Sequence, residues 1–105
     1  MDKKTYDALQ KSIAHWQENV AVDDLFKARI GTNDCALCDL FFVDFCKGCP
    51  VASSTGHIGC LETPYTHARE ALGKAATDLA NVDFIKAAKA EVLFLQSLVP
   101  AGGPE

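Results

Sequence analysis

Three stretches of this chain repeat apolar residues at steps of three and four, the spacing that places them on one face of an α-helix. In the first, Tyr6, Leu9, Ile13, Trp16 and Val20 line one side of residues 3 to about 21. Lys3, Lys4, Asp7, Lys11 and Glu18 fall mostly away from that side. The second opens at Thr63-Pro64, where Thr63 suits an N-cap and the missing N–H of Pro64 costs nothing. Ala68, Ala71, Leu72, Ala75 and Leu79 form its apolar face. Gly73 inside it costs about 1 kcal/mol relative to Ala. Asn81-Val82-Asp83 reads as a break, with Asp83 capping a third helix from Phe84 to about Leu98. There Ile85, Ala88, Val92, Leu95 and Val99 recur, Phe84, Phe94 and Leu98 widen the stripe, and Pro100 ends it.

The middle of the chain lacks this rhythm. Leu25 and Phe26 suggest one short turn inside a polar segment, and Gly31-Thr32-Asn33-Asp34 is a breaker cluster. The run from Asp39 to Phe45 is aromatic and β-branched, which predicts a short strand or hairpin arm. Pro50 then opens one or two helical turns through Thr55, stopped by Gly56 as a left-handed cap. The expected fold is therefore mainly α, with three helices around one core and a cysteine-rich, metal-stabilised insertion between the first and second. Residues 1–100 form a single helical domain, the insertion covers about 31–62, and 101–105 form a disordered tail. The short link between the last two helices makes them an antiparallel hairpin, with the first packed across it.

All five cysteines fall in that insertion. Cys35-Ala-Leu-Cys38 and Cys46-Lys-Gly-Cys49 form two pairs, and Cys60 follows a loop containing Gly56 and Gly59. Two residues between cysteines let both sulfurs reach one ion, and two such pairs complete the tetrahedral set that zinc prefers. Gly48 permits the turn that aims backbone N–H groups at sulfur. The expected ligands are Cys35, Cys38, Cys46 and Cys49, with Cys60 or His57 as the alternative fourth ligand. Structural zinc contributes on the order of 10 kcal/mol or more in small peptides, enough to offset ordering of a long insertion. Disulfides or a redox pair at Cys46-Lys-Gly-Cys49-Pro50 rank second, since a helix N-terminus stabilises a thiolate. The strand–helix alternation of a thioredoxin-like sheet is absent from the pattern. An iron–sulfur cluster ranks third, because the compact C-x₂-C-x₂-C run is missing.

Length and charge narrow the classes further. A chain of 105 residues is one domain with one modest core. Ten Lys+Arg against 14 Asp+Glu leave a net charge of -4, which disfavours nucleic acid as a partner. No apolar run approaches the ~20 residues that span a bilayer, and the N-terminus has no signal-peptide pattern. A cytoplasmic address follows, where thiols stay reduced.

Other polar residues carry weaker signals. His15, Glu18 and Asn19 lie three and four apart, which reads first as a solvated face beside core Trp16 and second as a small polar site. His67 and Glu70 read as surface residues, with Glu70 and Lys74 in an i,i+4 pair worth tenths of a kcal/mol. Tyr65 reads as a packing residue over the insertion. Phe41, Phe42 and Phe45 read as a miniature core around a metal knuckle rather than a base-stacking platform, since Asp39 and Asp44 flank them. No nucleophile–His–acid grouping or phosphate-binding glycine loop stands out.

Cys-Ala-Leu-Cys, Cys-Lys-Gly-Cys-Pro-Val, Thr-Gly-His-Ile-Gly-Cys and Thr-Pro-Tyr, together with residues 12–19 and 91–100, give the chain its most specific pattern. In it the chain resembles a family of small uncharacterised bacterial and phage-encoded cysteine-rich proteins. The resemblance implies a compact unit built around all five cysteines, Cys60 included, and carries no catalytic role. The expected function is a non-enzymatic, zinc-stabilised binding or adaptor protein that docks on another protein, in which the insertion loop is one candidate surface. A thiol-based redox or metal-responsive module is the first alternative, and a nucleic-acid-binding zinc knuckle the second.

Overall fold

The computed structural model describes residues 1–21, 28, 36–41, 47–56, 63–73 and 78–103. Its described elements are α1 (Lys3–Val20), α2 (Ala36–Phe41), α3 (Pro50–Thr55), α4 (Pro64–Gly73) and α5 (Asp78–Ser97). The chain is thus mainly helical, as expected, with no strand among the described residues.

Helix α1 begins where the Asp2 carboxylate accepts the Thr5 N–H at 2.8 Å, one of the four donors that a helix start leaves without an intrahelical partner. That bond favours the charged carboxylate and holds the Asp2 pKa below its usual value of 3.8. The helix buries Ala8, Leu9, Ser12, Ile13, Trp16 and Asn19. Tyr6 and Val20 stand at the edge of this face, half-buried.

Helix α5 is the hub of the core and packs against both α4 and α1. Its buried line is Phe84, Ala87, Ala88, Glu91 and Leu95, rotated from the stripe expected through Ile85, Val92 and Val99, which are only half-buried. Ala68 and Ala71 of α4 are buried with Ala87 and Ala88 of α5, so short side chains let this hairpin close tightly.

The expected break at Asn81-Val82-Asp83 does not occur. Helix α5 starts at Asp78 and runs through it, while α4 stops at Gly73. Val82 and Asp83 are exposed, so their weak helix propensity costs only about 0.5 kcal/mol each. Burial of Phe84 and the alanines beyond outweighs that cost. Gly73 sits at a helix end instead of a helix interior, Lys74 and Ala75 lie outside the described residues, and Leu79 belongs to α5.

The strand expected from Asp39 is also corrected. Residues Ala36–Phe41 are helical, because Leu37, Leu40 and Phe41 recur at helical spacing toward the core. Leu37 is buried and α2 packs on α1. Residues 42–45 of that expected strand, and the turn proposed at Leu25 and Phe26, lie outside the described residues. Helix α3 matches expectation: Pro50 occupies its first turn and Gly56 closes it at φ 76°, donating its N–H to Ala52 O at 2.8 Å.

Candidate metal centre

Two of the five cysteines lie on described elements. Cys38 is half-buried on α2, and Cys49 is 8% exposed at the N-cap of α3. Both are thiols in the structure. Cys49 has extended backbone dihedrals (φ -62°, ψ 132°), and its carbonyl accepts the Ser53 N–H at 2.9 Å. Its side chain makes no capping hydrogen bond to the helix. Cys35, Cys46, Cys60 and His57 lie outside the described residues.

One approach links the segment of Cys38 to that of Cys49. Gly48 has φ +86°, and a Cβ built there would meet the Phe41 ring at ordinary van der Waals distance, 3.4 Å from Cε1. Phe41 is three residues after Cys38 and therefore shares its side of α2. Gly48 directly precedes Cys49. Helix α2, which carries Cys38, thus comes close to the turn that precedes Cys49. Leu37 on one side and Val51 on the other, both 2% exposed, anchor the two segments in the main core. Among the described residues no group of three or more His, Cys, Asp and Glu side chains is placed to hold a metal ion. Sulfur donors of the kind zinc takes are present in the sequence as two C-x₂-C pairs, of which the structure describes Cys38 and Cys49.

The polar residues singled out on α1 separate. Asn19 is buried, Glu18 is exposed, and half-buried His15 meets the Trp16 ring edge-on at 6.4 Å. Trp16 is a core residue, and Tyr65 packs against it in a T-shaped pair at 6.0 Å. Tyr65 therefore serves the seam between α1 and α4. His67 and Glu70 are exposed and, with Asp83 and Lys86, rim a shallow groove of about 410 Å³ floored by Ala71, Ala87 and Ala90.

Residue typing alone hides a further group. Ser12, Asn19, Thr63 and Glu91 are polar yet almost fully buried. Glu91 Oε2 has no hydrogen-bond partner among the described residues, although the side chain makes other contacts. Helical phase is the signal that finds them. Ser12 and Asn19 fall in line with Leu9 and Trp16, and Glu91 falls in line with Phe84, Ala88 and Leu95.

No described helix is long and apolar enough to cross a membrane. No known protein family, curated protein or solved structure matches this chain.

Proposed function

We propose that this chain is a small zinc-stabilised adaptor: a helical body that holds a cysteine knuckle and docks on another protein in the cytoplasm. Membership among the small bacterial and phage-encoded cysteine-rich proteins is part of the same reading. Cys35, Cys38, Cys46 and Cys49 hold the ion, and Cys60 or His57 is the alternative fourth ligand. The observation that supports the reading is the approach of the Phe41 ring, three residues after Cys38, to Gly48, the residue before Cys49. A bound ion supplies the tether between them, with a contribution on the order of 10 kcal/mol. Burial of Cys49 favours a structural ligand over an exchanging thiol, because redox-active cysteines are at least partly accessible.

The test is elemental analysis of protein purified without added metal, repeated on single Cys→Ser variants. One zinc per chain is expected, lost in C35S, C38S, C46S and C49S and kept in C60S. Loss in C60S with retention in C46S moves the ligand set to Cys60. Five titratable thiols with no metal overturn the proposal.

A further inference from the structure

Among the described residues, the large apolar side chains left in water are Val82 and Leu93, at 64% and 68% exposure. Both lie on α5, three helical turns apart, or about 16 Å along the axis. Helical spacing puts Lys86 and Lys89 on the same outward face between them, and both are exposed. Asp83 stands at one edge, where Lys86 also borders the groove shared with exposed Glu70 of α4, and Glu91 is turned into the core. A chain of net charge -4 thus presents a cationic centre flanked by two apolar side chains on its most deeply packed helix.

We infer that this outward face of α5 docks an acidic amphipathic helix of a protein partner. The inference rests on the adaptor reading and names the chemistry of the partner. Charge excludes a second copy of the same face. Antiparallel pairing of α5 with itself sets Val82 opposite Leu93, which suits the apolar anchors. The same register sets Lys86 opposite Lys89, so cation meets cation. Parallel pairing sets each lysine against itself. The outer face of α1 is no substitute. It carries Lys3, Lys4 and Lys11 beside Asp7 and Glu18, Lys3 already pairs with Asp7 at 2.8 Å, and no large apolar residue is exposed there. The complementary partner carries apolar anchors three turns apart with carboxylates between them. Such a partner follows the helix-on-helix mode of recognition, with lysine–carboxylate pairs setting its sign and register.

The probe is a synthetic helical peptide with two leucines three turns apart and glutamates between them, titrated against the full zinc-loaded chain by fluorescence anisotropy. A Kd on the order of 10–100 µM is expected for so small a contact. A K86E/K89E variant loses about ten-fold or more, as two attractive pairs become repulsive. It regains affinity for the same peptide carrying lysine in place of glutamate. L93S weakens the acidic peptide comparably, with an unchanged helical circular-dichroism signal. Equal binding of acidic and basic peptides, no binding, or capture only by phosphatidylserine vesicles overturns the inference. Metal content measured on the same sample keeps the two proposals apart. Stoichiometric zinc without peptide binding removes the docking face alone, and charge-selective binding by metal-free protein removes the zinc knuckle alone.

Discussion

The Tyr65 ring meets the Trp16 ring edge-on, with centroids 6.0 Å apart and planes at 82°. This pair ties the start of α4 to the C-terminal part of α1, while α5 packs against both. Edge-to-face pairs contribute about 0.5–1.5 kcal/mol beyond the area they bury. A double-mutant cycle on Trp16→Leu and Tyr65→Leu, followed by urea unfolding, is expected to return a coupling in that range. Coupling near zero would show that the two rings are merely neighbours.

Gly48 provides a second measurable contact. An alanine there must adopt a left-handed backbone, at a cost of about 1–2 kcal/mol, while its methyl meets the Phe41 ring at ordinary contact distance. Gly48→Ala is expected to destabilise by about that amount and to speed loss of the proposed zinc ion to a chelator. Gly102→Ala, which meets nothing within 4 Å, is expected to stay within about 0.5 kcal/mol of wild type. Equal effects at the two glycines would remove Gly48 from the knuckle.

Asp83 distinguishes a helix cap from a helix interior. As an N-cap, its loss to alanine would cost about 1 kcal/mol. Inside α5 and exposed, Asp83→Ala is expected to be neutral or to stabilise by up to about 0.5 kcal/mol. Thermal unfolding of the single variant decides between them.

Asp2 gives stability a dependence on pH. Its folded-state pKa lies below 3.8, chiefly because Thr5 N–H donates to the charged carboxylate. The cap therefore stabilises fully above the unfolded pKa and is lost as pH falls through the folded one. Asp2→Ala is expected to lower Tm at neutral pH, with the gap to wild type closing in acid. Asp2→Asn, which keeps an acceptor but cannot titrate, is expected to hold α1 at both extremes. A gap that persists unchanged at low pH would mean that the carboxylate is not what caps α1.

The helices were legible where side-chain period and end signals agreed. Leu9, Ile13 and Trp16 mark α1, Thr63-Pro64 marks the start of α4, and Pro50 with Gly56 brackets α3. Legibility failed where local chemistry pointed one way and packing the other. Asn81-Val82-Asp83 looks like a stop, but exposed Val82 and Asp83 within a helix cost little once Phe84 is buried. Leu37, Leu40 and Phe41 have helical spacing, but the aromatic residues after them suggested a strand. Buried Glu91 was legible only through its position on the wheel, since residue type argues for the surface. For the candidate centre, spacing marked both cysteine pairs, but the contact of Phe41 with Gly48 is tertiary and leaves no trace in spacing.

Because α1 buries its face against α5, the seam joins helices that lie far apart along the chain. Everything between them, the cysteine segment included, must be synthesised before that seam can close. Nascent chains halted before α5 will expose Leu9, Ile13 and Trp16 to chaperones and proteases, and the seam between α1 and α5 closes only after α5 has emerged.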